Sequence, residues 1–171
     1  MTSSPKLKPF LSNTGVLRAG LLMGLVGGGA EVAVISAYAA ATGGDAGLVA
    51  RGVSSAVGMD GGSALSGVAV HMGISLALGV ALAALMQTRI GRKLPANAAF
   101  PVMMGALAGI WLVNFFIVLP VVSPAFVHLL PFAVTLGSKL AFGLSAAVAA
   151  HLMTTRSATQ PRSVLALPIQ S

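Results

Sequence analysis

The chain has 171 residues, of which 56% are hydrophobic and 8% charged, with a net charge of +7 and no cysteine. A soluble domain carries about 25% charged residues, so an ordinary water-soluble fold is excluded, and the lack of cysteine excludes disulfides, thiolate metal sites and cysteine nucleophiles. The positive charge does not indicate nucleic acid, because Lys and Arg flank apolar segments and form no stripe with interleaved aromatic residues.

Residues 1–17 (MTSSPKLKPFLSNTGVL) form a short basic tail. Residues 18–41 then stay apolar for about the 20 residues that a membrane-spanning helix needs. Gly20, Gly24 and Gly28 recur every fourth residue, giving two overlapping GxxxG patterns. At about 100° per residue they share a face with Gly27, Glu31 and Tyr38. Small residues let helices approach closely in lipid, so Glu31 is expected to point into the protein, where a partner offsets the cost of a buried carboxylate. A cleaved leader with Lys6, Lys8 and Arg18 as its basic region and Ala37-Tyr38-Ala39 as its cleavage site is the rival reading. The run is longer than the usual apolar core of a leader and contains a carboxylate, which favours a span.

Residues 42–62 admit two readings. Asp45 caps a short helix over Gly47–Val57, with Leu48, Val49, Val53 and Val57 on the membrane surface and Arg51 toward water; or the segment is a flexible Gly-rich loop. Asp60-Gly61-Gly62 is a turn signal. The second span, 63–87, places Gly67, His71, Ser75, Gly79 and Ala83 at every fourth position, a small-residue ladder with one histidine set into it. The third, 98–119, follows the basic segment 88–97 and carries a GxxxG at Gly105 and Gly109. Asn114 lies nearly opposite those glycines and is not expected to share their face. After the tight connection 120–127, with Ser123-Pro124 as a cap and first helical residue, the fourth span covers 125–153. Pro131 is expected to kink its outer turns. His128, Phe132, Thr135, Lys139, Gly143, Ala146 and Ala150 share one face of it. Residues 154–171 are a polar, basic tail.

The positive-inside rule orients these spans. Lys6, Lys8 and Arg18 precede the first; Arg89, Arg92 and Lys93 lie between the second and third; Arg156 and Arg162 follow the fourth. The first loop holds Arg51 against Asp45 and Asp60, and the last loop holds no Lys or Arg. Both termini and the middle loop are therefore expected in the cytoplasm. GISLALG at 73–79 and GSKLAFG at 137–143 also hint at two tandem helical hairpins repeated in parallel. Chance matching among spans dominated by Gly, Ala and Leu is the alternative.

With a rise of about 1.5 Å per residue, Glu31, His71 and Lys139 fall at similar depth, each on a small-residue face. They are expected to form one intramembrane polar cluster, with Glu31 and Lys139 lowering the cost of each other's charge. Gly20, Gly24, Gly28, Gly67, Gly79, Gly105, Gly109 and Gly143 are the expected helix-packing positions. No cofactor is expected. Haem or copper on His71 and His128 is the alternative, since imidazole and thioether ligands suit such centres, although Met72, Met103 and Met104 read as packing residues. No GxSxG motif supports a hydrolase, and no GK[ST] follows Gly27-Gly28-Gly29 to make a phosphate loop.

The texts GVAVHMGISLALGVALAAL, GALAGIWLVNFFIVLP and GSKLAFGLSAAVAA resemble a broad group of uncharacterised bacterial four-span membrane proteins. That group has Gly-rich spans, a His early in the second span and a Trp in the third; Lys139 departs from its pattern. The resemblance implies a four-helix inner-membrane protein and brings no activity. The expected fold is thus an all-α bundle of four transmembrane helices. The expected function is a non-enzymatic accessory or assembly subunit of a larger membrane complex, partnered by lipid and by other subunits or by itself. The alternatives are a small transporter or proton-coupled carrier using Glu31, His71 and Lys139, and a haem- or copper-binding electron-transfer subunit.

Overall fold

The computed structural model describes residues 13–159 except 89, 90, 92 and 95. Lys6, Lys8, Arg89, Arg92 and Arg162 of the topology signal lie outside the described residues. The elements are α1 (Asn13–Thr42), α2 (Ala46–Ala56), α3 (Ala64–Gln87), α4 (Ala96–Val113), a π-helical turn (Asn114–Val118), α5 (Leu119–Val122), α6 (Pro124–Val127) and α7 (Phe132–Thr159). Four stretches are long and apolar enough to cross a membrane: Thr14–Thr42, Ala64–Gln87, Phe100–Val122 and Phe132–Met153. Packed as a bundle, they make this a polytopic membrane protein.

The first span is the central element. α1 packs along both α3 and α7, and α4 packs along α7. Glycine makes the first of these contacts possible. A Cβ on Gly20 would meet the backbone of Val80, and one on Gly79 would meet the backbone of Gly20 and Gly24. Gly28 lies against Ser75, whose Cβ would be 2.6 Å from an added methyl group. The α1–α3 seam is thus a backbone-to-backbone contact, which in lipid relies on van der Waals packing and not on hydrophobic drive. Toward the chain-terminal end, Met23, Leu82, Met103, Leu107, Phe142 and Ala146 form the main core.

The first loop resolves in favour of a helix. Asp45 Oδ1 accepts the Gly47 N–H at 2.7 Å, and its Oδ2 pairs with Arg51 at 2.9 Å on the exposed side of α2. The Gly47 hydrogen bond and then the Arg51 guanidinium hold the Asp45 carboxyl below its ordinary value. α2 does not simply lie on the membrane surface. Gly67 of α3 sits against the Ala50 carbonyl with no room for a side chain, while Val49 and Val53 face the bundle interior. Gly43, in the left-handed region at φ 70°, ends α1, and the Gly44 N–H returns to the Ala39 carbonyl at 2.8 Å in a Schellman arrangement.

The structure departs from the sequence reading, or decides between its alternatives, at three places. The fourth span does not begin at 125 with a kink at Pro131: the chain breaks after α6, and α7 starts at Phe132. A residue before proline is disfavoured in the helical region, and here, unlike at Pro101 and Pro120, the helix is not continued through the proline. Pro131 instead starts the new helix, its carbonyl accepting the Val134 and Thr135 N–H groups at 3.0 and 3.2 Å. Ser123 does precede Pro124 at the start of α6, but its side chain makes no capping hydrogen bond. The second correction concerns Gly105 and Gly109, where an added Cβ would have nothing of the described chain within 4 Å. The third span packs instead through Met103, Leu107, Trp111, Phe115 and Leu119, a stripe of large residues at every fourth position. Third, the two hairpins are not built alike. Gly79 meets glycine backbone, whereas Gly143 at the matching position meets the side chains of Met104 and Leu107, and only the first hairpin carries an α2.

The π turn has a local cause. Pro120 has no N–H to give to Phe116 and its ring crowds that carbonyl. The Leu119 N–H reaches back to the Asn114 carbonyl, one residue further than in an α-helix. Such widened turns recur at functional sites.

Candidate functional site

At the end of the bundle that carries α2, the helices enclose a cavity of about 520 Å3. Small-molecule sites usually fall between about 300 and 1,000 Å3. The sides are apolar, with Ile35 from α1, Val49 and Val53 from α2, Val68 and Ile74 from α3, and Phe115 from the π turn among them. Of these, Ile74 is exposed, as are Asn114, Val118 and Val122 on the facing third span, so the cavity opens between α3 and that span.

Its polar groups are concentrated. Glu31 on α1, His71 and Ser75 on α3, Asn114 on the π turn, and Thr135, Ser138 and Lys139 on α7 all contribute to the lining. Glu31 is 4% exposed. Its Oε1 lies 2.6 Å from Lys139 Nζ, and its Oε2 lies 3.7 Å from His71 Nε2. The three groups singled out in the sequence are therefore brought together. The carboxylate and ammonium cancel as charges, which is the condition under which a low-dielectric site tolerates them. Oε2, however, has no hydrogen-bond partner among the described residues.

Surrounding residues fix the trio. Gly27 leaves room for the Phe142 ring, which approaches within 2.7 Å of where a Cβ would stand. Phe142 is fully buried, and Lys139 Nζ lies 5.6 Å from its ring centroid, within cation–π range. His71 Nε2 is 3.4 Å from Ser75 Oγ one turn along α3. On α7, Ser138 Oγ donates to the Thr135 carbonyl at 2.9 Å. Thr135 Oγ1 donates to the Phe132 carbonyl at 3.0 Å and accepts the Trp111 indole N–H, also at 3.0 Å. Trp111 thereby ties the third span to the helix that carries Lys139.

Other sequence candidates lie elsewhere. His128 is exposed on the connection before α7 and does not line the cavity that holds His71. Asn114, expected to lie apart from the polar groups, does line it. Asn114 does lie opposite Gly105 and Gly109, and it is the glycine face that turns away from the described chain. Ser138 and Thr135 complete the floor. An i, i+3 reading from Thr135, beside Lys139, was the signal that would have found Ser138.

Comparison with known proteins yields no relative: no family model matches the chain, and no curated protein or solved structure matches it significantly.

Proposed function

We propose that the chain is a non-enzymatic, multi-pass protein of a bacterial inner membrane that binds a small solute in its interior and acts as a carrier for it. One observation carries this reading: an apolar cavity of about 520 Å3, open between two spans, whose floor holds an intramembrane carboxylate, ammonium and imidazole. A pair that only fixed helix register would need no cavity beside it. Ionisable groups facing a cavity at membrane depth mark solute and proton pathways. The distribution of Lys and Arg supports cytoplasmic termini, with the α2 end of the cavity on the opposite side of the membrane.

The reading as a subunit of a larger complex retains one favouring observation. Gly105 and Gly109 present a small-residue face that nothing within the described chain covers, as a face for another helix would.

Mass spectrometry of the protein purified in mild detergent, both intact and after organic extraction, separates the two. A single small compound at stoichiometric amount is expected, and it should be lost from Val53→Phe and Val68→Phe, which fill the cavity. A stoichiometric protein partner with no small compound would instead establish the subunit reading.

A further inference from the structure

The chemistry of the cavity narrows what it takes, given that it is a binding site as proposed above. The Glu31–Lys139 pair already satisfies both charges, since Nζ is 2.6 Å from Oε1. A ligand amine would place a second cation beside Lys139. A ligand carboxylate would compete with Glu31 for the ammonium that stabilises it. Neither kind of charge is called for by what is left unsatisfied. Among the buried side-chain atoms of the described residues, that is one acceptor, Glu31 Oε2, on a side chain 5% exposed and without a hydrogen-bond partner. Facing it at 3.7 Å is His71 Nε2, which also lines the cavity.

Two atoms at that separation are too far apart to bond directly. One oxygen at the usual O–H···O and N–H···O distances of about 2.7–3.0 Å would bridge them; Oε2 is closed off by its neighbours, so the part-exposed His71 ring must turn aside to admit it. The oxygen must donate to the carboxylate, and when His71 carries its proton on Nε2 it can accept from the ring N–H in place of the long 3.4 Å contact to Ser75 Oγ. A hydroxyl does both; an ether cannot donate. Around this point the lining turns apolar, through Val68, Ile74, Phe115 and Val118, toward the opening between α3 and the third span.

We propose that the cavity binds an uncharged amphipath, an alcohol of lipid type, with its hydroxyl held between Glu31 and His71 and its chain lying toward the opening between α3 and the third span. The ligand reaches the site from the bilayer, where such molecules partition. Glu31 and His71 are the residues that read the head; Lys139, 2.6 Å from Oε1, holds the Glu31 side chain in place.

The chain provides its own reporter. Trp111 is the only tryptophan, is buried, and hydrogen-bonds Thr135 in the cavity wall. The protein, reconstituted in phosphatidylcholine nanodiscs, is titrated with four medium-chain ω-bromo compounds: the alcohol, its methyl ether, the amine and the carboxylate. Bromine quenches the indole at close range. Saturable quenching by the alcohol is expected, about tenfold or more tighter than by the ether, and lost in Val68→Phe. Glu31→Gln, and independently His71→Phe, should shrink the alcohol-to-ether ratio toward one. Equal binding of alcohol and ether would overturn the proposal, as would tighter binding of the amine or carboxylate, while leaving the cavity a binding site. A lone water between Glu31 and His71 gives that same equality. Saturable quenching by none of the four would remove the binding reading itself. The wild-type comparison of alcohol with ether decides the matter even if a variant fails to fold.

Discussion

At the scale of the residue, Glu31 and Lys139 are coupled by burial more than by attraction. Removing one partner of a buried pair costs about 3–5 kcal/mol because the other charge is left uncompensated, whereas removing both together is often neutral. Lys139→Met should therefore lower thermal stability in detergent by several kcal/mol. Adding Glu31→Gln to it should recover most of the loss. A double variant no more stable than Lys139→Met would show that the pair is not what holds these groups in place. This pair was legible in the sequence, because a lone Glu and a lone Lys in the spans each sat on a small-residue face at similar depth. His71 was legible for the same reason. The unsatisfied Oε2 and the cavity were not. Periodicity says which residues face inward, and nothing about whether the space they face is filled.

At the scale of the element, glycines of identical spacing do opposite things. Gly79 is pressed between Gly20 and Gly24, while Gly105 faces away from the described chain. Gly79→Leu should prevent α1 and α3 from closing and abolish a folded, monodisperse species in size-exclusion chromatography. Gly105→Leu should leave that profile and the thermal midpoint unchanged. Disruption by both variants would mean that the third span packs through its glycines after all. The sequence could not separate these cases. In lipid both the packed and the outward faces of a helix are apolar, so the polarity contrast that orients a helix in water is missing. Large residues at every fourth position from Met103 to Leu119 were as regular a signal as the glycines. Pro131 was a similar ambiguity: the residue alone permits a kink or a break, and a proline at the first turn of a helix is tolerated. At α2, Asp45 before an apolar run suggested the cap but left helix and loop open, and it did not show that Val49 and Val53 face the interior.

At the scale of the whole molecule, four spans were readable from length and hydropathy alone, and their arrangement was not. The first span packs along both the second and the fourth, a pairing that no loop length dictates. Orientation in the membrane is open to direct measurement because the chain has no cysteine. Ser55→Cys, on the exposed side of α2, should react with a membrane-impermeant maleimide added to intact cells, and Thr88→Cys only after lysis. The reverse pattern would place the termini outside and overturn the charge-based topology.

The central position of α1 also bears on how the protein is made. Glu31 lies in a span that leaves the ribosome well before the one that carries Lys139, so the carboxylate reaches the membrane before its ammonium has been synthesised. Until α7 arrives, α1 has a glycine-lined groove and an unneutralised acid to shelter. The Glu31–Lys139 contact therefore cannot form before α7 is in place, and a chain interrupted ahead of α7 leaves that acid without its ammonium.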